Sequence, residues 1–244
     1  MSFRIAETTH IYNAVVNSCK NAGFSVAEGP TSSLFNVQWT GYIQSGDISD
    51  LNKYQRTNHF PGSSQLGRKD LLWRNMNRLA LAHPRDFNLA PKSFLLGGAD
   101  GGDYELFEQE READPKALWI LKPVAAACGR GIKIVRSETK ISKREGMLAS
   151  RYIANPHLIN GLKYDLRVYV LVTSFNPLKV YMYNDGLVRF ATEPYSNDPD
   201  RLTQKFVHLT NFSVNKKSSK FVKNVDRDEP NNPFQEHQTS KWDF

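Results

Sequence analysis

The stretch ALWILKPVAAACGRGIKIV, residues 117–135, carries the pattern on which the fold depends. Its apolar beginning, ended by Lys122 and Pro123, is typical of a buried strand, and Ile132 to Val135 predicts a second strand. The loop between them consists of small residues and includes two glycines. Because glycine has no Cβ, such a loop lets backbone N–H groups approach a phosphate, and the lysine adds positive charge. The loop matches neither a Walker A nor a Rossmann fingerprint, so a plain β-hairpin remains the alternative.

On either side of this stretch, helical and strand patterns follow one another, which indicates an α/β (α+β) fold. The later strands are long, β-branched and aromatic, and they predict an antiparallel meander in the back half. In chain order the predicted elements are a helix over 9–22, a strand over 36–42, a long loop over 52–70, a helix over 70–82 ended by Pro84, an exposed acidic insertion over 97–114, an apolar run over 147–153, strands over 166–175 and 179–183, a tight turn at Asn184-Asp185-Gly186, and a strand over 187–191.

Composition excludes several classes of protein. The chain has 244 residues, 40% of them apolar, and two cysteines, which are too few for a disulfide framework or a four-ligand zinc site. No apolar run approaches the roughly 18 residues that a membrane span requires, and the N-terminus lacks a signal-peptide pattern. These features predict a cytoplasmic protein without a His/Cys metal site. Residues 1–121 carry a net charge of −1 and residues 122–244 a net charge of +8, so the back half suits an anionic partner.

Three further groups of polar residues are candidates for a site. Lys163, Asp165 and Arg167 alternate along a predicted strand, so they share one face, although a solvated strand edge has the same pattern. Arg189 could hold a carboxylate with two parallel hydrogen bonds, although a surface arginine is the simpler interpretation. The segment 208–217, HLTNFSVNKK, offers groups that could contact phosphate or substrate, and its alternative is a capped loop that enters a helix.

The order of the motifs identifies a resemblance. The segments are WILKP, GRGI, RYIANPHLINGLKYDLRVYVLVTS, YNDGLVRFATEPY and FVHLTNFSVNKKS, preceded by NHFPGSSQLGRKDLLWRNM. Together they resemble the tubulin–tyrosine ligase-like family over residues 36–222, most closely its polyglutamylase branch. This resemblance, rather than the spacing of single residues, indicates the function.

The resemblance implies an ATP-grasp-like fold, in which two α+β halves close over a nucleotide. It implies an N-terminal domain over 1–66, a central domain over 67–153 with the phosphate loop, and a C-terminal domain over 154–244 that is truncated. No metal ligand is predicted within the chain, because the family's magnesium ligands are expected beyond Phe244. Residues 1–244 alone are therefore expected to add little glutamate to tubulin, and a C-terminal segment with those ligands is expected to restore the activity.

The resemblance also implies the role of each site residue. Arg189 is implied to hold the incoming amino acid, and residues 125–131 to form the loop over the triphosphate. The residues implied to bind the nucleotide are Lys122, Gly129, Arg130, Gly131, Ile132, Arg151, Tyr152, Ile153, Lys163 and Asp165. The residues implied to be catalytic are Arg167, Thr210, Asn211 and Lys216.

The implied function is that of an ATP- and Mg²⁺-dependent ligase, which adds glutamate to carboxylates of tubulin tails through an acylphosphate. The implied partners are free glutamate and the acidic C-terminal tail of tubulin, with a monomeric enzyme on microtubules in the cytoplasm, including those of the cilium or basal body. No membrane partner is expected. A non-catalytic module that binds the tubulin tail is the alternative, whereas nucleic-acid binding is supported only by the charge of residues 216–223.

Overall fold

A computed structural model describes residues 1–7, 9–29, 31–41, 45–97, 102–141, 143, 146–222 and 240–243. The chain divides into two compact units, residues 1–75 and 76–244, and each contains helices and strands. The predicted α+β class is thereby confirmed, while the division into three domains stays a prediction. Among the described residues, no helix combines the length and the apolar character needed to cross a membrane.

The first unit is built on four short parallel strands in the order β2-β1-β3-β4. Phe3 at its centre is buried, and the Arg4 guanidinium stacks 4.0 Å from the centre of the Phe35 ring. The elements of this unit are β1 Ser2–Ile5, α1 Asn13–Asn21, β2 Ser25–Val26, β3 Val37–Trp39, α2 Ser45–Ser49, β4 Arg56–Thr57, α3 Ser64–Gly67 and the start of α4 Lys69–Ala82.

The predicted helices of the first unit are present, whereas the predicted loop over 52–70 is wrong. The first helix begins only after Tyr12, whose backbone is extended, and α4 ends before Pro84 as predicted. The supposed loop contains β4, α3 and the first residues of α4. These pieces escape a search for periodicity because a strand of two residues and a helix of four each cover only about one repeat of their pattern.

The second unit begins with an antiparallel sheet in the order β5-β8-β6-β7. On one face, Trp119 and its neighbours pack against Phe107 of a helix that covers the sheet. On the other face, Ile134 and Tyr152 pack with Leu202. The elements are α5 Pro84–Phe87, β5 Ser93–Leu96, α6 Tyr104–Ala113, β6 Leu118–Pro123, β7 Lys133–Arg136 and β8 Met147–Arg151. The strand–loop–strand pattern over 117–135 is thus confirmed.

The predicted exposed insertion over 97–114 is wrong for the part that the structure describes, since residues 98–101 lie outside it. Residues 104–113 form α6, which fully buries Phe107 and also buries Arg111. The Arg111 guanidinium donates hydrogen bonds to the backbone carbonyls of Ser137 and Thr139. Phe107 and Arg111 are four residues apart and therefore share one helix face, while the acidic residues between them conceal that face in the sequence.

A second antiparallel sheet, in the order β12-β11-β10-β9, confirms the predicted meander. The tight turn predicted at Asn184-Asp185-Gly186 is wrong, because these residues lie inside β11 and the hairpin turns at Asn176-Pro177. The step from Met182 to Gly186 faces the shorter step from Val168 to Val170, so the turn-like residues form a bulge. The elements are β9 Leu158–Ile159, β10 Leu162–Phe175, β11 Leu178–Phe190, α7 Lys205–His208, α8 Phe212–Asn215 and β12 Lys241–Asp243.

Candidate active site

Two lysines that were implied to bind the nucleotide are found at one face of the sheet β5-β8-β6-β7. Side chains alternate along β6, so Lys122 shares a face with Leu118 and Ile120, which pack against the cluster around Tyr152. Lys163 reaches this face from β10: its Nζ donates a hydrogen bond to the Tyr152 hydroxyl at 2.8 Å and lies 4.4 Å from the centre of that ring. The positive charge of Lys122 acts on Lys163, so the two ammonium groups are close enough to interact.

The electrostatics of Lys163 suit an anionic ligand. Burial lowers the pKa of Lys163 to about 8; the nearby Asp165 acts against this shift, and the positive charge of Lys122 adds to it. Keeping the Lys163 side chain charged in this buried place costs free energy, and the negative charge of a phosphate beside it would reduce that cost. Lys163 thus gains more from binding an anion than a lysine on a solvated strand edge would.

The loop after β6 has the backbone conformation that its glycines predict. Gly129 and Gly131 have φ angles of 76° and 69°, in the left-handed region that favours glycine. A Cβ on Gly129 would lie 2.8 Å from Cγ2 of Val214, and one on Gly131 would lie 2.8 Å from Cγ of Pro123. The loop therefore packs closely both on its own strand and on α8, with no room for a side chain at either glycine.

The segment 209–217 supports this loop from the other side. The Ser213 hydroxyl donates a hydrogen bond to the backbone carbonyl of Cys128 at 2.9 Å, 85 residues away in the chain. Thr210 and Asn211 are half-buried in this segment, and Lys216 at its end is exposed. The structure thus brings together the predicted phosphate loop and the predicted catalytic segment.

Asn215 holds this segment in place and was not predicted as a site residue. Its side chain is 1% exposed, and its Oδ1 accepts hydrogen bonds from the backbone N–H and the hydroxyl of Thr192, both at 3.0 Å. Its Nδ2 donates to the carbonyls of Leu209 at 2.6 Å and Asn211 at 3.2 Å. An asparagine in a polar loop carries no local signal for this role, because Thr192, the residue that it ties to the segment, lies 23 positions away and meets it only in the folded chain.

Arg189 holds a carboxylate in the geometry that its prediction required, and the carboxylate belongs to Asp165. The two residues face each other across β10 and β11. Nε of Arg189 donates to Oδ1 of Asp165 at 2.8 Å, and Nη2 donates to Oδ2. The hydrogen bond with Asp165 is also the main reason that the pKa of Arg189 is raised. A residue implied to bind nucleotide and one implied to bind the amino acid are therefore in direct contact.

The other predicted residues lie nearby with different surroundings. The Arg151 guanidinium donates to Asp114 at the end of α6, and Ile153 is exposed. Ile132 is half-buried after the loop, whereas Arg130 and Arg167 are exposed. Their implied roles in binding and catalysis stay predictions.

A basic cleft of about 860 Å³ lies beside the loop. Its cationic lining residues are Arg130, Lys205, Lys216 and Lys217. Among the described residues of its lining, one is acidic, Glu193, and it is paired with Lys220 at 2.7 Å. This cleft gives the positive charge of the back half a definite location next to the candidate site.

The buried ammonium of Lys163 predicts a dependence of stability on pH. Its pKa is about 8 when folded against 10.5 as the ordinary value, so between these pH values the unfolded chain binds more protons and stability rises with pH. The gain is about 1.4 kcal/mol per pH unit. Above pH 10 Tyr152 acts in the opposite direction, because burial raises its pKa. Between pH 7.5 and 9.5, denaturant titrations should show the free energy of unfolding of the wild type rising by roughly 2 kcal/mol more than that of Lys163→Met. An equal change in the free energy of unfolding of the two proteins over this pH range would contradict the prediction.

Comparison with known proteins places the chain in a family. The tubulin–tyrosine ligase family model matches residues 48–241. Tubulin monoglutamylase TTLL4 of Mus musculus is 42% identical over 189 residues, covering 77% of this chain and 16% of its own length. Tubulin polyglutamylase TTLL6 of Mus musculus is 42% identical over 216 residues, covering 88% and 26%.

Tubulin polyglutamylase TTLL5 of Homo sapiens is likewise 42% identical, over 195 residues, covering 79% of this chain and 15% of its own length. The chain therefore spans between about a seventh and a quarter of the length of these relatives. The relatives include members named for polyglutamylation, which confirms the branch that the motifs resemble. The predicted resemblance is confirmed, and this chain belongs to the tubulin–tyrosine ligase family.

Proposed function

We propose that this chain is the nucleotide- and amino-acid-binding part of an ATP-dependent ligase that adds glutamate to carboxylates of tubulin tails. The observation that carries the proposal is its identity of 42% to proteins named tubulin monoglutamylase and polyglutamylase, over most of its length. Three contacts support it: Lys122 acts electrostatically on Lys163, the glycine loop packs on Val214 of the segment 209–217, and Asp165 pairs with Arg189. Such an enzyme works on microtubules, in the cytoplasm.

The residues fit a nucleotide triphosphate. In the loop 125–131, Gly129 and Gly131 leave no room for a Cβ, so the loop packs closely on the chain around it. In the proposal its bare backbone offers N–H groups to the phosphates. Lys122 and Lys163 supply two positive charges on the same face. In the proposal the loop and these lysines bind the phosphates, Asp165 binds the ribose, and residues 151–153 contact the adenine. The two halves of an ATP-grasp-like fold would then close over the nucleotide.

The proposed reaction has two steps that balance. A carboxylate oxygen of the acceptor attacks the γ-phosphorus of ATP, which forms an acylphosphate and releases ADP. The amino nitrogen of glutamate then attacks the acyl carbon; an amide bond forms, phosphate leaves, and the nitrogen loses a proton. The protein chiefly positions the reactants and neutralises charge. In the proposal Arg167 acts near the transferred phosphoryl group, Thr210 and Asn211 belong to a catalytic loop, and Lys216 lies near the acceptor.

Magnesium enters the proposal only as the ion that neutralises the triphosphate when it is bound. Among the residues that the structure describes, no three His, Cys, Asp or Glu side chains come together in a way that could hold a metal ion. The described residues therefore supply no complete metal site, and no step is assigned to one.

The function is tested with radiolabelled glutamate, tubulin, ATP and Mg²⁺. We expect residues 1–244 alone to incorporate little glutamate, and the chain extended by a C-terminal segment with magnesium ligands to incorporate it well above a reaction without ATP. In the extended chain Lys122→Ala should abolish the difference. Binding of tubulin tails without ATP binding or incorporation would support the non-catalytic alternative. Incorporation of tyrosine or glycine in place of glutamate would contradict the proposed substrate.

Arg189→Ala should impair the use of glutamate more than the binding of ATP. Nε and Nη2 of Arg189 already donate to Asp165, so Nη1 is the group left for the glutamate carboxylate. A charge-assisted hydrogen bond contributes roughly 1.5–3 kcal/mol, so we expect the KM for glutamate to rise about 10- to 100-fold. Arg189→Lys should rescue little, because an ammonium lacks the planar fork. Lys179→Ala on the exposed part of β11 is the control. An unchanged KM in Arg189→Ala would refute this role.

A further inference from the structure

A chain of hydrogen bonds runs from Lys163 into the buried part of the second unit. Lys163 Nζ donates to the Tyr152 hydroxyl at 2.8 Å, and this hydroxyl lies 3.0 Å from Nδ1 of His208. On the far side of the ring, Nε2 of His208 lies 3.1 Å from the backbone carbonyl of Arg201. Tyr152 and His208 are 7% and 3% exposed, so water does not compete for these bonds.

The direction of every bond follows from the last one. A carbonyl oxygen only accepts, so the proton of His208 is on Nε2. In a neutral imidazole the other nitrogen is then an acceptor. The Tyr152 hydroxyl also contacts the Tyr195 hydroxyl, which itself donates to the backbone carbonyl of Ala154 at 2.7 Å, and donation from Tyr152 to Nδ1 is the arrangement that gives this nitrogen a proton donor. The tyrosine oxygen keeps its lone pairs for the ammonium of Lys163, which can only donate. The backbone at Arg201 thus determines which way the Tyr152 hydroxyl points.

The surroundings keep His208 in this neutral form. Burial lowers the pKa of His208 most; the hydrogen bond to the Arg201 backbone acts against this shift, and the positive charges of Lys163 and Arg201 add to it. The rings of Tyr152 and Tyr195 pack edge-on against the imidazole at 5.8 and 5.6 Å between centres. A protonated His208 would donate from Nδ1 and reverse the bond to Tyr152, so the neutral form is what the chain of bonds requires.

We propose that His208 is a positioning residue that acts through Tyr152 to hold the ammonium of Lys163 in place for the nucleotide phosphates. The proposal rests on the proposed function for the identity of the ligand, while the hydrogen-bond chain stands without it. A histidine that only fills space would need neither a fixed tautomer nor a donor aimed at Nδ1. The His208 ring instead belongs to a chain of three successive hydrogen bonds whose directions depend on one another, and this indicates that it orients the Tyr152 hydroxyl.

The test is a double-mutant cycle on Tyr152→Phe and His208→Leu, with two measurements. The first is the affinity for ATP–Mg²⁺ by calorimetry, which we expect to fall about tenfold in Tyr152→Phe. The second is the pH midpoint for labelling of Lys163 by an amine reagent, read by mass spectrometry. We expect Tyr152→Phe to move this midpoint downward, because the ammonium loses an acceptor.

The cycle separates positioning from packing. If His208 acts through Tyr152, the double variant should match Tyr152→Phe in both measurements; effects that add would show that His208 only packs, and would overturn the proposal. Tyr164→Phe is the matched control, because Tyr164 follows Lys163 on β10 and its hydroxyl also contacts a histidine nitrogen, Nδ1 of His157, at 3.0 Å. It should leave both measurements unchanged.

Two outcomes keep this inference distinct from the proposed function. If the wild-type chain binds no ATP, the proposed function fails, while the labelling midpoint of Lys163 still tests the hydrogen-bond chain. If His208→Leu does not fold, Tyr152→Phe, which removes one oxygen, decides alone. An unchanged labelling midpoint and an unchanged ATP affinity in Tyr152→Phe would overturn the proposal.

Discussion

Trp119→Ala is expected to lower the free energy of unfolding of the second unit by about 3–5 kcal/mol. Trp119 has no exposed surface, and its ring stands perpendicular to that of Phe107 at 5.0 Å between centres. It also packs 5.8 Å from Phe94, so its removal takes contacts between β6 and both α6 and β5. A loss of this size is a large fraction of the stability of an ordinary domain.

Denaturant titration followed by far-UV circular dichroism measures this loss. Leu106→Ala is the control, because Leu106 lies beside Phe107 on α6 but is 57% exposed. It should change the free energy of unfolding by no more than about 0.5 kcal/mol. A cost below 1 kcal/mol for Trp119→Ala would show that the sheet and α6 do not share this core.

Asn215→Ala should cost about 2–4 kcal/mol, because it removes four hydrogen bonds and leaves buried partners unpaired. The backbone N–H of Thr192 and the carbonyl of Leu209 both lose their side-chain partner. Since the segment 209–217 supports the glycine loop, we also expect weaker ATP binding. Hydrogen exchange should show the Thr192 amide losing its protection.

The control for this prediction is Ser219→Ala, an exposed position shortly after α8. It should change neither stability nor exchange at Thr192. Retained protection of the Thr192 amide in Asn215→Ala, with an unchanged free energy of unfolding, would show that Asn215 does not hold the segment.

The sequence predicts correctly those elements whose pattern lies within their own residues. The apolar runs at the two ends of 117–135 predict two strands, and the small residues between them predict the loop, since each of these needs only its own residues. It failed where tertiary contacts outweigh local preference. Asn184-Asp185-Gly186 has the composition of a turn, yet the pairing of β10 with β11 continues through it as a bulge. Likewise, Phe107 reveals the buried face of α6 only once the sheet beneath it is known.

The same division applies to the candidate site. Alternation places Lys163, Asp165 and Arg167 on one face, and that is a property of a single strand. The contact between Asp165 and Arg189 depends on the register of two long strands, which no local pattern determines. The hydrogen-bond chain through His208 joins residues that lie 56 positions apart, so it becomes visible only in the folded chain.

The far end of the β10–β11 hairpin has a consequence for the behaviour of the chain in solution. Val170, Leu171 and Met182 are 56%, 62% and 71% exposed there. Within the described residues, β9 pairs with β10 only at Leu162 and Lys163, and β12 pairs with β11 only at 187–189, so both backbone edges are open beyond these points. Exposed edges with apolar side chains are templates for further strands. The isolated chain should therefore lose solubility on concentration sooner than its net charge of +7 suggests.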